Sequence, residues 1–553
     1  MVMAKCEALE TGVKEEIPHD HLFKVTGLSS SNLEKLAQEP PRADFEEAIA
    51  ATGYGKFNIA LMLCSLPAFW SAVSVTSSTS YIFTRAQCDM GLSLLDMGTI
   101  TSMTYGEQVQ PIPSPGSRLT LSFGTPCILY LYICMISSAL IWGFMSDTLG
   151  RRKIMVWGFL CSGLVEMAAA MSQNFAMLLV TRFASGFLFN GPFAVLISYI
   201  AELHRTELRA RVILLTSLFY TIANTALPLL AWAILTQDLD FYIFNFFVVH
   251  SWNLFLLSTA LIPFVTGLMF FCMPESPKFL MSRGRNEEAM AVFKKIYRLN
   301  TGKSADEYPI KTLVEEKKEE LGRGLAALRG GWAQLVPLFK PPHLKWLTLM
   351  CLIHVGCMFG SNTIRLWYPQ LAAMIGSDSK SLCSAIAPAN QPAGDETCVP
   401  IATDMLTYLQ SAAVGAGSVL TYGIGGILVN RCGKRLVAGF CGVASAVLIL
   451  LLPFLGYSAF AVVAMVTSAL ALTSLCGASL SSITVELFPT SLRVMAMATF
   501  LMTGRLGTVT GTVIFPALIN YGCLPPFITI AAVLAAIGLA CFLLPNTTLK
   551  KLE

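Results

Sequence analysis

The chain has 553 residues, of which 54% are hydrophobic and only 13% are charged, and its mean hydropathy is +0.63. This composition excludes an ordinary soluble globular protein and leaves room for about a dozen membrane spans of about 20 apolar residues each. The net charge of +4 is too small to predict a nucleic-acid partner, and the absence of a Walker A sequence argues against ATP-driven pumping.

Residues 1–55 are polar and mixed in charge, which predicts a soluble tail without a cleavable signal peptide. The apolar run from about Phe57 to Phe83 predicts the first span. It contains Trp70 and a serine- and threonine-rich end, but no carboxylate. Trp70 is therefore a candidate substrate contact in this helix.

A short motif of glycines and charges, GFMSDTLGRRK, follows the next apolar run, Leu119–Met145. Its first glycine and its aspartate are four residues apart, hence on one face of a helix end. Its next glycine permits a tight turn, and its basic residues are expected at the cytoplasmic surface. The candidate residues of this first copy are Gly143, Asp147, Gly150, Arg151 and Arg152.

This motif recurs 283 residues later as GILVNRCGKR, and a second motif, AELHRTELR, recurs as VELFPTSLR at an offset of 284. Two motifs that repeat at nearly one offset predict two homologous halves. The second copy carries a neutral asparagine where the first carries an aspartate. The residues of the later copies and of the second motif are Gly426, Asn430, Gly433, Lys434, Arg435, Glu202, Arg209, Glu486 and Arg493.

Hydropathy along the chain divides it into five parts. We predict an N-terminal tail over 1–55, a six-helix bundle over 56–273, a charged central segment over 274–345, a second six-helix bundle over 346–545 and a C-terminal tail over 546–553. Short basic clusters all fall on the side of the termini, so we expect both termini to be cytoplasmic.

The doubled motifs resemble those of the major facilitator superfamily of secondary transporters. The stretches EEAIAATGYGKFNIALM and QCDMGLSLLDMGTITSM resemble the synaptic vesicle glycoprotein 2 family and its insect relatives within it. The resemblance implies an all-α membrane protein of twelve transmembrane helices in two pseudo-symmetric bundles, with a cavity between them. Proton-coupled relatives carry acidic residues in the first span, and this chain has none there.

The resemblance implies a monomeric transporter of a small organic solute, with an organic anion as one candidate class, that works by alternating access in a plasma or vesicle membrane. A second interpretation is a non-transporting vesicle-membrane protein of the same fold that acts in trafficking or as a receptor. No nucleophile–base set and no metal-ligand cluster is visible, so we expect neither enzymatic activity nor a cofactor or metal.

The resemblance also implies a role for the residues of the two motifs. In the superfamily they form a latch that holds the two halves together on the cytoplasmic side in one state. The alternative is a set of solvated loop charges, whose ion pairs are worth only ~0–1 kcal/mol each.

Four charges lie within or near the edges of apolar spans: Glu166, Arg182, Arg365 and Arg505. A charge at the centre of a bilayer costs at least ~2.5 kcal/mol, so such groups face protein or a cavity. Arg182 is either structural or proton-linked, and Arg365, near the outer end of span 7, either faces protein or a cavity or snorkels. Arg505 meets an anionic partner, either a protein carboxylate such as Glu166 or an anionic substrate.

Three asparagines in the spans, Asn190, Asn224 and Asn362, either line a substrate cavity or bridge helices by hydrogen bonding. We also predict a disulfide between Cys383 and Cys398, in a loop expected to face an oxidising compartment. Finally, Glu107–Cys134 interrupts the pattern of the second helix and is either an outer loop or an insertion.

Overall fold

The computed structural model describes residues 42–105, 141–143, 145, 146, 148–237, 239–243, 247–314, 336–375, 383, 405–454 and 459–545. These residues are mostly helical. The helices are α1 (Phe45–Ala51), α2 (Lys56–Met90), α3 (Leu94–Tyr105), α4 (Arg151–Ala170), α5 (Phe175–Glu202), α6 (Thr206–Leu235), α7 (Ser251–Phe271), α8 (Pro277–Ser282), α9 (Asn286–Thr301), α10 (His343–Ile375), α11 (Met405–Cys432), α12 (Lys434–Leu451), α13 (Ala459–Leu487), α14 (Thr490–Ile519) and α15 (Leu524–Cys541). A short antiparallel hairpin, β1 (Asp240–Ile243) and β2 (Phe247–His250), precedes α7.

Nine helices in the described part of the chain are long and apolar enough to cross a membrane: α2, α4, α5, α6, α7, α10, α12, α13 and α15. The helices α11 and α14 occupy the positions of two further predicted spans. The predicted all-α membrane fold is therefore confirmed.

The apolar side chains Met97, Ile100 and Met103 of α3 are almost fully buried. This helix packs against α5 of its own half and α14 of the other half. The segment Leu94–Tyr105 is thus part of the bundle. The interruption at Glu107–Cys134 lies outside the described residues.

The two halves repeat a turn as well as a motif. Gly150 precedes α4 with a φ of +97°, and Gly433 precedes α12 with a φ of +87°. Only glycine adopts such backbone angles without strain. Because the glycine recurs, the chain makes the same sharp turn before α4 and before α12.

The halves meet along α2 with α10, α3 with α14, and α6 with α11. Glycines allow the closest approaches: a β-carbon at Gly98 would lie 2.6 Å from the carbonyl oxygen of Thr512, and one at Gly415 would lie 2.9 Å from that of Asn224. We call the end of the bundle that holds α1, α8 and α9 the tail side, and the opposite end, with the β-hairpin, the far side. The contact between Gly98 and Thr512 lies toward the far side.

On the tail side, α1 packs with α8 and α9 in a small apolar cluster that includes Phe45, Ile49 and Phe293. The backbone of Ala43 donates to the carbonyl oxygen of Thr312 at 3.1 Å, which joins the N-terminal tail to the central segment. These two stretches, far apart in sequence, therefore form one cap on the N-terminal half.

The predicted disulfide between Cys383 and Cys398 is wrong. Cys383 is bonded instead to Cys523, which lies just before α15, and the two Cα atoms are 5.2 Å apart. A sulfur forms only one such bond, and folding brings together residues 140 positions apart in sequence. The bridge fastens the segment after α10 to the far-side turn between α14 and α15.

Candidate functional site

A cavity of about 530 Å³ lies between the two halves. Its wall is formed by helices of both halves, and four of the six predicted substrate-contacting residues are on it: Asn190, Asn224, Asn362 and Arg505. The wall contains two arginines and one histidine but no aspartate or glutamate among the described residues. The described part of the wall therefore carries a net positive charge.

Arg365 also lies on this wall, although it was not among the predicted substrate contacts. Its guanidinium donates from Nη1 to the hydroxyl of Tyr220 at 2.9 Å and from Nη2 to the hydroxyl of Tyr105 at 3.2 Å. Both tyrosines belong to the other half, and the Tyr105 hydroxyl in turn donates to the carbonyl oxygen of Thr76. Arg365 thus joins the halves through uncharged partners.

The remaining nitrogen of this guanidinium, Nε, is buried and has no hydrogen-bond partner among the described residues. The interpretation of Arg365 as snorkelling is wrong because α10 is 33 residues long and extends ten residues beyond it, to Ile375. The length of the apolar run around Arg365 was the available signal.

The asparagines both line the cavity and tie helices. Asn362 donates to the hydroxyl of Thr508 at 2.7 Å and so connects α10 to α14. Asn190 and Asn224 each donate to the carbonyl oxygen one turn earlier in their own helix. Asn362 therefore both lines the cavity and bridges two helices.

Arg182 and Trp70 are not on the cavity wall. Arg182 is fully buried and forms an ion pair with Glu166, with Nη1 3.0 Å from Oε2. Trp70 packs against the larger hydrophobic core. The structure therefore places neither predicted contact on this wall, and Glu166 pairs with Arg182 rather than with Arg505.

The repeated motifs make equivalent contacts in the two halves. Arg151 lies 3.8 Å from Glu202 and ties α4 to α5, while Lys434, at the position that repeats Arg151, pairs with Glu486 and ties α12 to α13. The next residue in each copy, Arg152 or Arg435, donates to a carbonyl oxygen at the end of the last helix of its half.

These described contacts lie within each half, so a latch between the halves stays a prediction for another conformation. Asp147 lies outside the described residues, and the side chain of Asn430 is not described either. Arg209 donates to Glu46 of α1 at 2.8 and 3.0 Å, a contact that the motif did not predict.

The fold and the cavity between two repeated helix bundles define a membrane protein of the transporter type. The chain matches the family described as "Sugar (and other) transporter" over residues 66–391, which is more than half of its length. It belongs to that family and is a multi-pass membrane protein.

Among curated proteins, the chain is similar to synaptic vesicle glycoprotein 2C of Mus musculus, with 24% identity over 376 residues, or 63% of this chain and 46% of the relative. It is also 25% identical to synaptic vesicle glycoprotein 2A of Rattus norvegicus over 285 residues, or 47% of this chain and 38% of the relative. Each match covers less than half of the relative's own length.

Among solved structures, the inward-open conformation of the xylose transporter XylE from E. coli covers 90% of this chain and 97% of its own, with a TM-score of 0.59 and 15% identity. The nucleoside transporter NupG covers 88% and 98%, with a TM-score of 0.57 and 12% identity. At such low identity these likenesses show the fold alone.

Proposed function

We propose that this protein carries a small organic anion across a membrane by alternating access, with the tail side in the cytoplasm. The observation that supports it most is Arg365, a permanent cation held between the halves by two tyrosine hydroxyls. A guanidinium cannot escape burial by losing its proton. An anionic ligand would supply the counter-charge that the described cavity wall lacks.

The position of Arg365 also links binding to movement. Its partners, Tyr105 and Tyr220, belong to the opposite half, so these hydrogen bonds hold only while the halves meet on this side of the cavity. An anion that binds Arg365 and Arg505 would change the energy of that contact. A ligand shifts a conformational equilibrium only through such a difference between the two states.

Family membership supports a solute carrier rather than an enzyme, and the similarity to synaptic vesicle glycoproteins supports a vesicle membrane as one location. Basic residues of the repeated motifs, such as Arg151 and Lys434, lie on the tail side, and this supports a cytoplasmic tail side.

The test is uptake by purified full-length protein in liposomes. Radiolabelled phenyl sulfate, p-aminohippurate and succinate are compared with the cation tetraethylammonium and the neutral sugar xylose. We expect saturable uptake of at least one anion and none of the cation. Arg365→Met should reduce anion uptake about tenfold or more, since a charged hydrogen-bonded partner is worth ~1.5–3 kcal/mol.

Arg431→Ala is the matched control, because this arginine is exposed at the tail-side end of α11 and is not on the cavity wall. Arg505→Lys should keep part of the activity and Arg505→Ala should abolish it. Uptake of only tetraethylammonium or xylose, or equal anion uptake by wild type and Arg365→Met at equal protein amounts, would contradict the proposal.

A further inference from the structure

A histidine, His354, lies on the cavity wall on the same helix as Arg365. Its ring stacks on that of Phe500 with centroids 3.8 Å apart and an angle of 14°. A β-carbon at residue 504 would overlap the ring, so only Gly504 allows it to lie this close to α14. The next residue of α14 is Arg505, which lines the same cavity.

The hydrogen bond of this ring determines its tautomer. Nδ1 of His354 lies 2.7 Å from the carbonyl oxygen of Phe500. A carbonyl oxygen only accepts, so Nδ1 carries a hydrogen in both charge states of the ring. Nε2 has no hydrogen-bond partner among the described residues and is not among the buried unpartnered atoms. It is therefore the nitrogen that can gain or lose a proton from the cavity.

No other described group on the cavity wall has an ordinary pKa between 5 and 8. Its remaining ionisable groups are two arginines and four tyrosines. The ionisable residues that line the cavity on the helices around the ring are Arg505 on α14, Arg365 and Tyr368 on α10, and Tyr81 on α2. Among the described residues, the carboxylates on the helices that contact α10 are Asp89, in the last turn of α2, and Glu486, in the last turn of α13. Asp89 accepts a hydrogen bond from Trp252, Glu486 pairs with Lys434, and neither is on the cavity wall. No described carboxylate therefore lines the cavity beside the ring.

We infer that His354 is the proton-binding residue of the transport cycle, so that an organic anion and a proton cross together. This inference rests on the proposed anion transport and names its coupling ion. In the empty cavity, a proton on Nε2 would place a third positive charge beside two guanidiniums, which is unfavourable at low dielectric. A bound anion offsets that cost. Anion binding therefore favours protonation, and protonation favours anion binding, by the reciprocity of linked equilibria.

The step is a simple proton transfer in which no covalent bond of the substrate changes. The proton joins Nε2 from the side to which the cavity opens and leaves it on the other side after the halves have moved. The Nδ1 hydrogen bond to Phe500 persists throughout, because it does not depend on the charge of the ring. The apolar run Phe57–Phe83 contains no carboxylate, and the proton site lies instead at His354 on α10.

The experiment measures phenyl sulfate, p-aminohippurate and succinate uptake into liposomes at about pH 7.5 inside, with the outside at about pH 7.5 or about pH 6. Phenyl sulfate stays ionised over this range, so leakage of a neutral form does not imitate coupling. Where protonation limits the rate, wild-type uptake should rise about tenfold per pH unit of acidification. A pH-sensitive dye inside the vesicles should report acidification that accompanies anion entry.

His354→Gln keeps a polar side chain of similar size but cannot bind a proton. With equal anion concentration and equal pH on both sides of the membrane, this variant should still exchange labelled for unlabelled anion. It should lose the response to the pH gradient. Gly504→Ala, which displaces the ring, should weaken that response in the same direction. Size-exclusion profiles of both variants check that they fold.

The outcomes separate the two proposals. If no panel anion is taken up under any condition, the proposed function fails, and this inference fails with it. If anions are taken up at the same rate with and without the gradient, or if folded His354→Gln keeps the full pH response, anion transport stands and the role of His354 is wrong.

Discussion

Arg182 and Glu166 form an ion pair inside the N-terminal half, and their side chains are only 0% and 3% exposed. Ser185 also donates to Glu166, and Ser78 accepts from Arg182 at 3.3 Å. The pair thus ties α4 and α5 to α2. Two guanidinium nitrogens, Nε and Nη2, have no described partner, so the desolvation of this arginine is only partly compensated.

We expect Glu166→Gln to lower the stability of the protein sharply, by ~3–5 kcal/mol, because it leaves the buried guanidinium of Arg182 without a counter-charge. The double variant Glu166→Gln/Arg182→Met removes both charges and should recover most of the loss. Thermal unfolding of purified protein measures both. Equal stability of Glu166→Gln and wild type would show that Arg182 has another counter-ion.

The contact between Glu46 and Arg209 should hold α1 on the bundle. Burial alone would raise the pKa of Glu46, but hydrogen bonds from Thr206 and Arg209 outweigh it and lower that pKa below its ordinary value. A lowered folded-state pKa stabilises the docked helix above the unfolded pKa, and the effect is lost as pH falls through the folded value. Docking should therefore weaken only under acid conditions, below about pH 4.5.

Hydrogen exchange over residues 44–52 measures this docking. At neutral pH Glu46→Gln should accelerate exchange up to about fivefold, the range expected for a partly exposed ion pair of ~0–1 kcal/mol. Glu207→Gln is the matched control, because Glu207 is exposed beside this site and has no hydrogen bond or ion pair among the described residues. Equal acceleration in both variants would assign the effect to net charge instead.

The disulfide between Cys383 and Cys523 should protect both sulfurs from alkylation without reductant. Cys523→Ser should expose the thiol of Cys383 to labelling, whereas Cys398→Ser should leave Cys383 protected. Closing a loop of this length stabilises by about 5 kcal/mol in the chain-entropy model, so Cys523→Ser should also unfold at a lower temperature. Mass spectrometry after labelling decides the pairing, and protection of Cys383 in the Cys523→Ser variant would contradict it.

We predict that deleting Glu107–Cys134 leaves the bundle intact. Thr104 lies against Gly186, and Trp142 donates from Nε1 to the carbonyl oxygen of Phe187 at 3.1 Å, so the two ends contact neighbouring positions of α5. The deletion joins TSMTYG directly to MISSALIWGFMSD, which together are long enough for a spanning helix. The deletion variant should give a monodisperse size-exclusion peak and retain uptake. If the deletion variant aggregated while the wild-type protein gave a monodisperse peak, the segment would be necessary for folding.

The repeat and the hydropathy of the sequence were enough to predict an all-α membrane fold in two halves. These features are local or periodic: apolar runs of membrane length, and glycines and charges at a fixed offset. The ion pairs Arg151–Glu202 and Lys434–Glu486 follow the repeat because equivalent residues occupy equivalent turns. The sequence also named the asparagines and Arg505 as candidates for a polar cavity, with helix bridging or a protein carboxylate as the alternatives, since buried polar groups require partners or water.

Only the tertiary structure decided how the charges inside the membrane pair. From the sequence, Glu166 was a candidate partner of Arg505, because hydropathy does not report which face of a span meets which neighbour. The structure joins Glu166 to Arg182, places Arg365 between two tyrosines of the other half, and turns His354 toward the cavity. Cys383 is likewise bonded to Cys523 rather than to Cys398, which is nearer in the sequence. Distance along the chain does not determine distance in a bundle whose far ends bring together residues more than a hundred positions apart.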